Sequence, residues 1–205
     1  MSQQLLIQHL RAARVVPVVR TSSADHAETA VAWLQAAGIR IFEITMTIPG
    51  AVPLIARLAK DPGLLIGAGT VPDATVAQAC LDAGARFLVA PWIDPTLSAP
   101  CRAVGAALML GALTPTEVRA ALVAGADVVK VFPASSAGGP NHIKALASVF
   151  PGVAFCPTGG VEPGNVQAFL AAGAAFVGMG GALVDEKRIA AGDRAAIEAA
   201  ARAVL

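Results

Sequence analysis

Lys130 stands in the middle of the apolar, β-branched run VVKVFP (Val128 to Pro133), and Glu43 stands in a second such run, IRIFEITM (Ile39 to Met46). A charge withdrawn from water without a partner costs several kcal/mol, so each of these needs either a pairing or a task. A lysine amine in apolar surroundings can attack a carbonyl and form a Schiff base, and a carboxylate beside it can carry protons between the steps. Apolar surroundings favour the neutral amine, whereas a neighbouring carboxylate favours the ammonium. The competing reading is a buried salt bridge that neutralises two charges and does no chemistry. The remaining lysines, Lys60, Lys144 and Lys187, fall on helical or loop patterns and read as solvated charges.

The elements that would position this pair follow from the repeating pattern of the chain. Short β-branched or apolar runs occur at 15–20, 39–46, 64–70, 86–91, 106–111, 127–133, 153–160 and 175–181. Each is followed by a polar or Gly/Pro turn and then an Ala- and Leu-rich helical pattern. Ser23, Asp73 and Thr114 suit helix N-caps, and the pairs Ala37-Gly38, Ala83-Gly84, Ala124-Gly125 and Ala172-Gly173 suit C-terminal caps. Alternating strands and helices imply a parallel sheet covered by helices, and eight units allow closure. The expected fold is therefore α/β, a (β/α)8 TIM barrel forming one domain over residues 1–205. The opening residues form a short N-terminal helix with Leu5, Leu6, Leu10 and Ala13 on its apolar side. A doubly wound open sheet is the alternative, but the first turn lacks GxGxxG.

In such a barrel the site lies at the C-terminal ends of the strands, and the polar residues gather there. Arg20 closes the first strand, Glu43, Thr45 and Thr47 ride on the second, Thr70 ends the third, and Thr158 ends the seventh. Strand alternation turns Ile41, Glu43 and Thr45 inward, together with Val128, Lys130 and Phe132. Glu43 and Lys130 belong to the second and sixth strands, which share interior layers and face one another across the barrel. Gly159 and Gly160 after the seventh strand, and Gly178, Gly180 and Gly181 after the eighth, occupy the loops where barrels commonly hold a phosphate on exposed backbone amides. Glycines also end strands for steric reasons alone. The SSAGGPN loop reads as a flexible turn before a helix capped near Asn141.

Composition narrows the function classes. The chain has 205 residues, 56% of them hydrophobic, and a net charge of +1 without a basic run. Neither nucleic acid nor an anionic membrane surface is indicated, and no stretch reaches the ~18 apolar residues of a membrane span. Cys80, Cys101 and Cys156 are widely spaced and read as core thiols in a reducing cytoplasm. His9, His26 and His142 fall on helices or loops and read as solvated, and the inward positions offer no metal-ligand cluster. The expected partner is a small molecule.

The motifs IFEITMT, GAGTV, VVKVFPA, CPTGGV and the glycine-rich end of the eighth strand, in this order and spacing, carry a resemblance. The chain resembles the 2-keto-3-deoxy-6-phosphogluconate (KDPG) aldolases, also described as 4-hydroxy-2-oxoglutarate aldolases, over Val15 to Val184. The resemblance implies a class I aldolase without metal or cofactor, usually a homotrimer, acting on a 2-keto acid. It matches Lys130 to the Schiff-base lysine and Glu43 to the acid/base that moves protons through a water. It matches Thr70, Pro91, Phe132 and Thr158 to the pyruvate end of the pocket, and Gly159, Gly160, Gly180 and Gly181 to the phosphate end.

Four positions depart from the family pattern. Several relatives carry arginine at the position of Thr47, many carry serine at Gly181, and Trp92 and Leu110 replace glycine and proline. That arginine would be expected to help bind an anionic group of the substrate, so both losses weaken anion binding; Thr47 stays a substrate-binding candidate, and Arg20, at the end of the adjacent first strand, could approach the same carboxylate. The alternative for Arg20 is a surface ion pair. Three readings therefore stand: an aldolase of a phosphorylated donor, an aldolase of an unphosphorylated 4-hydroxy-2-oxo acid, and a non-catalytic sugar-phosphate-binding barrel.

Overall fold

A computed structural model describes residues 2–205. Helix α1 (Gln3–Ala13) precedes strand β1 (Val15–Val19), and strands and helices then alternate. In order come α2 (Ala24–Ala36), β2 (Ile41–Thr45), α3 (Ala51–Leu58), β3 (Leu65–Gly69), α4 (Ala74–Asp82) and β4 (Phe87–Ala90). After a 3-10 turn at Pro95–Leu97 follow α5 (Ser98–Val104), β5 (Ala107–Ala112), α6 (Pro115–Val123), β6 (Val128–Val131) and α7 (Gly139–Val149). The chain finishes with β7 (Phe155–Pro157), α8 (Val166–Ala171), β8 (Val177–Met179), α9 (Glu186–Ala190) and α10 (Arg194–Arg202).

The eight strands are parallel neighbours in sequence order, with β1 paired to β8. Two isolated bridges, Phe155 to Ala174 and Thr158 to Gly178, join the β7 and β8 segments and all but close the ring. This is the (β/α)8 TIM barrel that the repeating pattern implied.

Period-two alternation divides the core into two layers. Val16, Ile41, Phe87, Val89, Met109, Val128, Cys156 and Phe176 pack inside the barrel. Val19, Phe42, Ile44, Leu88, Leu108, Val129, Val131 and Phe155 pack outward against the helices. Burying a side chain of this size stabilises by about 1.5–3 kcal/mol, and it is closure of the ring that takes the inner layer out of water. Leu6 and Leu10 of α1 join that inner layer, and Gln3 Nε2 donates to the Ala106 carbonyl and to Asp127 Oδ2, which seats α1 across the N-terminal end of the barrel. Leu5 was expected on the buried side of α1, but it is exposed. The helical spacing from Leu6 and Leu10 brings Gln3, Ile7 and Ala13 to the barrel instead.

The expected caps form. The side chains of Ser23, Asp73 and Thr114 accept from His26, Val76 and Glu117 amides, and Thr114 and Glu117 complete a reciprocal capping box. Gly38, Gly84, Gly125 and Gly173 all take positive φ after their helices, between +95° and +116°. Asn141 is not the cap of α7: that helix begins at Gly139 behind a left-handed Gly138, with Pro140 in its first turn. Glycine reaches φ +112° at no steric cost and proline suits the first turn, so the helix starts before Asn141.

Among the described residues no helix is long and apolar enough to cross a membrane. Cys80, Cys101 and Cys156 are buried and unpaired with one another. Burial pushes the Cys80 thiol up to about 11 and the Cys101 and Cys156 thiols up to about 12. The folded chain therefore keeps protons that the unfolded chain releases above about pH 9, and this contribution to stability is present below pH 9 and lost as pH rises toward 12. Urea midpoints are expected to fall between pH 8.5 and 10.5, with a shallower fall for Cys101→Ala than for wild type. An aromatic disulfide reagent should label no thiol until the protein unfolds.

Candidate active site

Lys130 from β6 and Glu43 from β2 meet inside the C-terminal end of the barrel, with Nζ 3.5 Å from Oε1. Both are almost fully buried, at 4% and 5% exposure. Alternation turns both inward and the sixth strand faces the second, so the pairing expected from the sequence is present. At 3.5 Å the contact is long for a charge-assisted hydrogen bond, which leaves each group able to engage a third partner. Lys130 Nζ also lies 5.8 Å from the centroid of the Phe132 ring, in range of a cation–π attraction. Cys156, Lys130's register partner on β7, keeps its proton because burial raises its thiol to about 12. That thiol is no competing nucleophile.

Glycines inside strands make the room. A Cβ at Gly69 would overlap the Glu43 carboxylate, one at Gly178 would overlap the Thr158 hydroxyl, and one at Gly111 would overlap the Pro91 carbonyl. Gly69 and Gly111 were not singled out from sequence, and Gly178, expected in the loop after the eighth strand, lies inside β8. The available signal was glycine in the interior of a strand, which marks a close approach by a neighbour.

Above the pair lies a cavity of about 460 Å³ lined by Lys130, Arg20, Thr70, Pro91, Phe132 and Thr158, together with Gly159, Gly160, Gly180 and Gly181. Glu43 lies behind Lys130 and does not form part of the wall. Phe132 is half exposed at the mouth, beyond the last residue of β6. Thr47 is outside the lining; it is exposed and bonds the Thr45 hydroxyl at 2.8 Å, while Thr45 donates to the Val19 carbonyl. Leu110 faces the outer helices and does not reach the mouth, whereas Trp92 is partly exposed beside it. Sequence reasoning missed Val18, Val161, Glu162 and Ala182, which complete the wall.

Arg20 makes no surface ion pair among the described residues. Its Nη2 donates to Thr70 Oγ1 at 3.1 Å, reaching from the end of β1 to the end of β3. Thr70 has φ +57°, costly for a β-branched residue, and such strain collects where a side chain must be aimed. Gly159 sits beside the Thr158–Gly178 bridge that joins the β7 and β8 segments, while the amides of Gly160, Gly180 and Gly181, at the same end of the cavity, donate to no backbone carbonyl among the described residues.

Two histidines are held where solvated ones were expected. Nδ1 of His26 lies 3.0 Å from Glu186 Oε1, which also accepts from the Ser22 amide and hydroxyl. The Ser22 bonds, followed by His26, hold the Glu186 carboxyl down to about 2 and tie the loop after β1 to the start of α9. His142 Nε2 donates to the Leu113 carbonyl at 2.7 Å, since a carbonyl can only accept. His9 is exposed, and so are Lys60, Lys144 and Lys187. No group of three or more His, Cys, Asp or Glu side chains suited to a metal occurs among the described residues. A larger cavity of about 510 Å³ opens at the opposite end of the barrel around His9, Ile39 and Arg86, but no Asp or Glu lines it, and the acid–base pair is at the other end.

Residues 6–200 match the family model described as "Aldolase: KDPG and KHG aldolase". The chain is 34% identical over 201 residues to a 2-dehydro-3-deoxy-phosphogluconate aldolase of Treponema pallidum, covering 98% of this chain and 96% of that one. It is 34% identical over 181 residues to the KHG/KDPG aldolase of Escherichia coli K12, covering 87% and 84%. Among solved structures it is similar to the KDPG aldolase of Legionella pneumophila with pyruvate captured as a covalent carbinolamine intermediate. That match has a TM-score of 0.87 and 33% identity, over 97% of both chains.

A methyl group at position 69 must displace Glu43 or the strand itself. Gly69→Ala is therefore expected to lower stability by about 1–3 kcal/mol, as overpacking of a filled core does. Urea denaturation checks this, and an unchanged midpoint would show that the carboxylate has space to withdraw.

Proposed function

The chain belongs to the KDPG and KHG aldolase family of carbon–carbon lyases, and from that premise we propose that Lys130 forms an imine with its 2-keto acid substrate while Glu43 moves the protons. The observation that carries this reading is the buried Lys130–Glu43 pair, 3.5 Å apart, opening on the cavity at the strand C-termini. The carbinolamine captured in the Legionella relative supports a covalent amine adduct in this fold.

The neutral Lys130 amine adds to the C2 ketone; a proton delivered to the carbinolamine hydroxyl lets it leave as water, and a protonated imine remains. Glu43, directly or through a water, takes the proton of the C4 hydroxyl. The C3–C4 electron pair flows into the iminium, an aldehyde departs, and an enamine of pyruvate remains. The proton taken from C4–OH is then returned to C3, and water hydrolyses the imine to pyruvate and free lysine. One carboxylate serves both transfers because the second returns what the first removed. The iminium is itself the electron sink, so this route uses no metal or other cofactor. The same reading carries a homotrimeric, cytoplasmic enzyme built on one barrel domain.

At the level of the family, the donor is 2-keto-3-deoxy-6-phosphogluconate, cleaved to pyruvate and glyceraldehyde 3-phosphate. Thr70, Pro91, Phe132 and Thr158 would enclose the pyruvate half, and the amides of Gly159, Gly160, Gly180 and Gly181 would meet the far end of the aldehyde half. Arg20 would bind the substrate carboxylate in place of the arginine that relatives carry at Thr47. A second reading, an unphosphorylated 4-hydroxy-2-oxo acid as donor, is favoured by the scarcity of cations: only Arg20 and Lys130 line the cavity.

Borohydride reduction with pyruvate should leave a pyruvate-sized adduct on Lys130, located by peptide mapping, and none on Lys130→Met. No adduct on folded wild type would favour a barrel that binds sugar acids without catalysis. Glu43→Gln should slow turnover by roughly 10²–10⁴ while adduct formation persists. Arg20→Ala should weaken apparent pyruvate affinity roughly ten-fold or more, as loss of a charged hydrogen bond does. Unchanged affinity removes Arg20 from carboxylate binding.

A further inference from the structure

The cavity has one end for charge and one without a cation. Lys130 and Arg20 are the only cationic side chains in its lining, and the imine and the substrate carboxylate would engage them both. Glu162 is the only acid in that lining. It follows Gly160 by two residues, at the end built from Gly159, Gly160, Gly180 and Gly181. The Glu162 amide donates to Asn165 Oδ1 at 2.9 Å and Asn165 Nδ2 donates to the Gly160 carbonyl at 3.0 Å. Ser135 Oγ donates to the same carbonyl. These bonds hold the Gly160-to-Asn165 turn in one conformation, with the exposed Glu162 at the rim of the cavity. No Lys, Arg or His pairs with its carboxylate among the described residues.

A phosphate dianion resting on the glycine amides would share the cavity with this exposed carboxylate and with no cation at that end, and like charges in one cavity repel. A hydroxyl suits both partners, since it donates to a carboxylate and accepts from a backbone N–H. We infer that Glu162 is a specificity-determining residue that disfavours a phosphorylated tail, and that the preferred donor is an unphosphorylated 2-keto-3-deoxy aldonic acid. Its cleavage gives pyruvate and an uncharged hydroxyaldehyde. This inference rests on the aldolase reading above and narrows its donor. Gly181 agrees with it: a Cβ there would meet nothing within 4 Å, so the position has room for a hydroxyl-bearing side chain that the chain lacks.

The test compares kcat/KM for 2-keto-3-deoxygluconate and for its 6-phosphate, in wild type and in Glu162→Gln, at low and high salt. Wild type should favour the unphosphorylated donor, and Glu162→Gln should narrow the ratio roughly ten-fold, chiefly by raising the value for the phosphorylated one. Salt should raise the wild-type value for the phosphorylated donor more than that of the variant, because it screens the repulsion. A wild-type preference for the phosphorylated donor, or a ratio that Glu162→Gln leaves unmoved, overturns the inference. Borohydride trapping with pyruvate on the same wild-type preparation separates the two layers. An adduct with an unmoved ratio defeats the role of Glu162 alone, and no adduct defeats the aldolase reading beneath it.

Discussion

The structure turns on one buried ion pair. An ammonium and a carboxylate inside a barrel of Val, Ile, Phe and Met side chains each lose hydration worth several kcal/mol, and their mutual attraction at 3.5 Å must offset much of that loss. Removing either partner leaves an isolated charge in an apolar interior, which is why the two residues are tolerated only together. A salt bridge held merely for stability would be replaceable by apolar residues of similar volume. Lys130 also lines the 460 Å³ cavity at the C-terminal ends of the strands.

The surroundings follow from the need to place that pair at the mouth. Three strands carry a glycine where a neighbour's polar group comes close: Gly69 against Glu43, Gly178 against Thr158 and Gly111 against the Pro91 carbonyl. At the other end α1 fills the barrel with Leu6 and Leu10. The Ser22–His26–Glu186 cluster binds the loop after β1 to the start of α9, and so braces the wall that holds Arg20 against the one that holds Gly180 and Gly181. The glycines and the Ser22–His26–Glu186 cluster lie on different elements, yet both act on the same cavity.

Much of this was readable in one dimension because strand and helix periods are local. The eight β-branched runs, the caps at Ser23, Asp73 and Thr114, and the Ala-Gly helix ends depend on neighbours within a few residues. The inward direction of Lys130 and Glu43 follows from alternation, and their meeting follows from barrel geometry. Local signals also misled. Leu5 looked like part of the apolar side of α1, but its neighbours Leu6 and Leu10 set which face docks. Asn141 looked like a cap, but Gly138 could take the left-handed conformation first. His26 and His142 looked solvated because Glu186 and the Leu113 carbonyl lie far from them in the chain.

The sequence by itself determined the fold class, the family and the two charges that must meet, since each rests on residue type, period and order. Tertiary structure alone decided the 3.5 Å separation, the reach of Arg20 to Thr70 rather than to an acid, the exclusion of Thr47 and the entry of Glu162 into the cavity wall. The physical reason is that these depend on distances between strand ends and loops tens of residues apart. Such distances are set by closure of the ring and by side-chain volume, which no local pattern encodes.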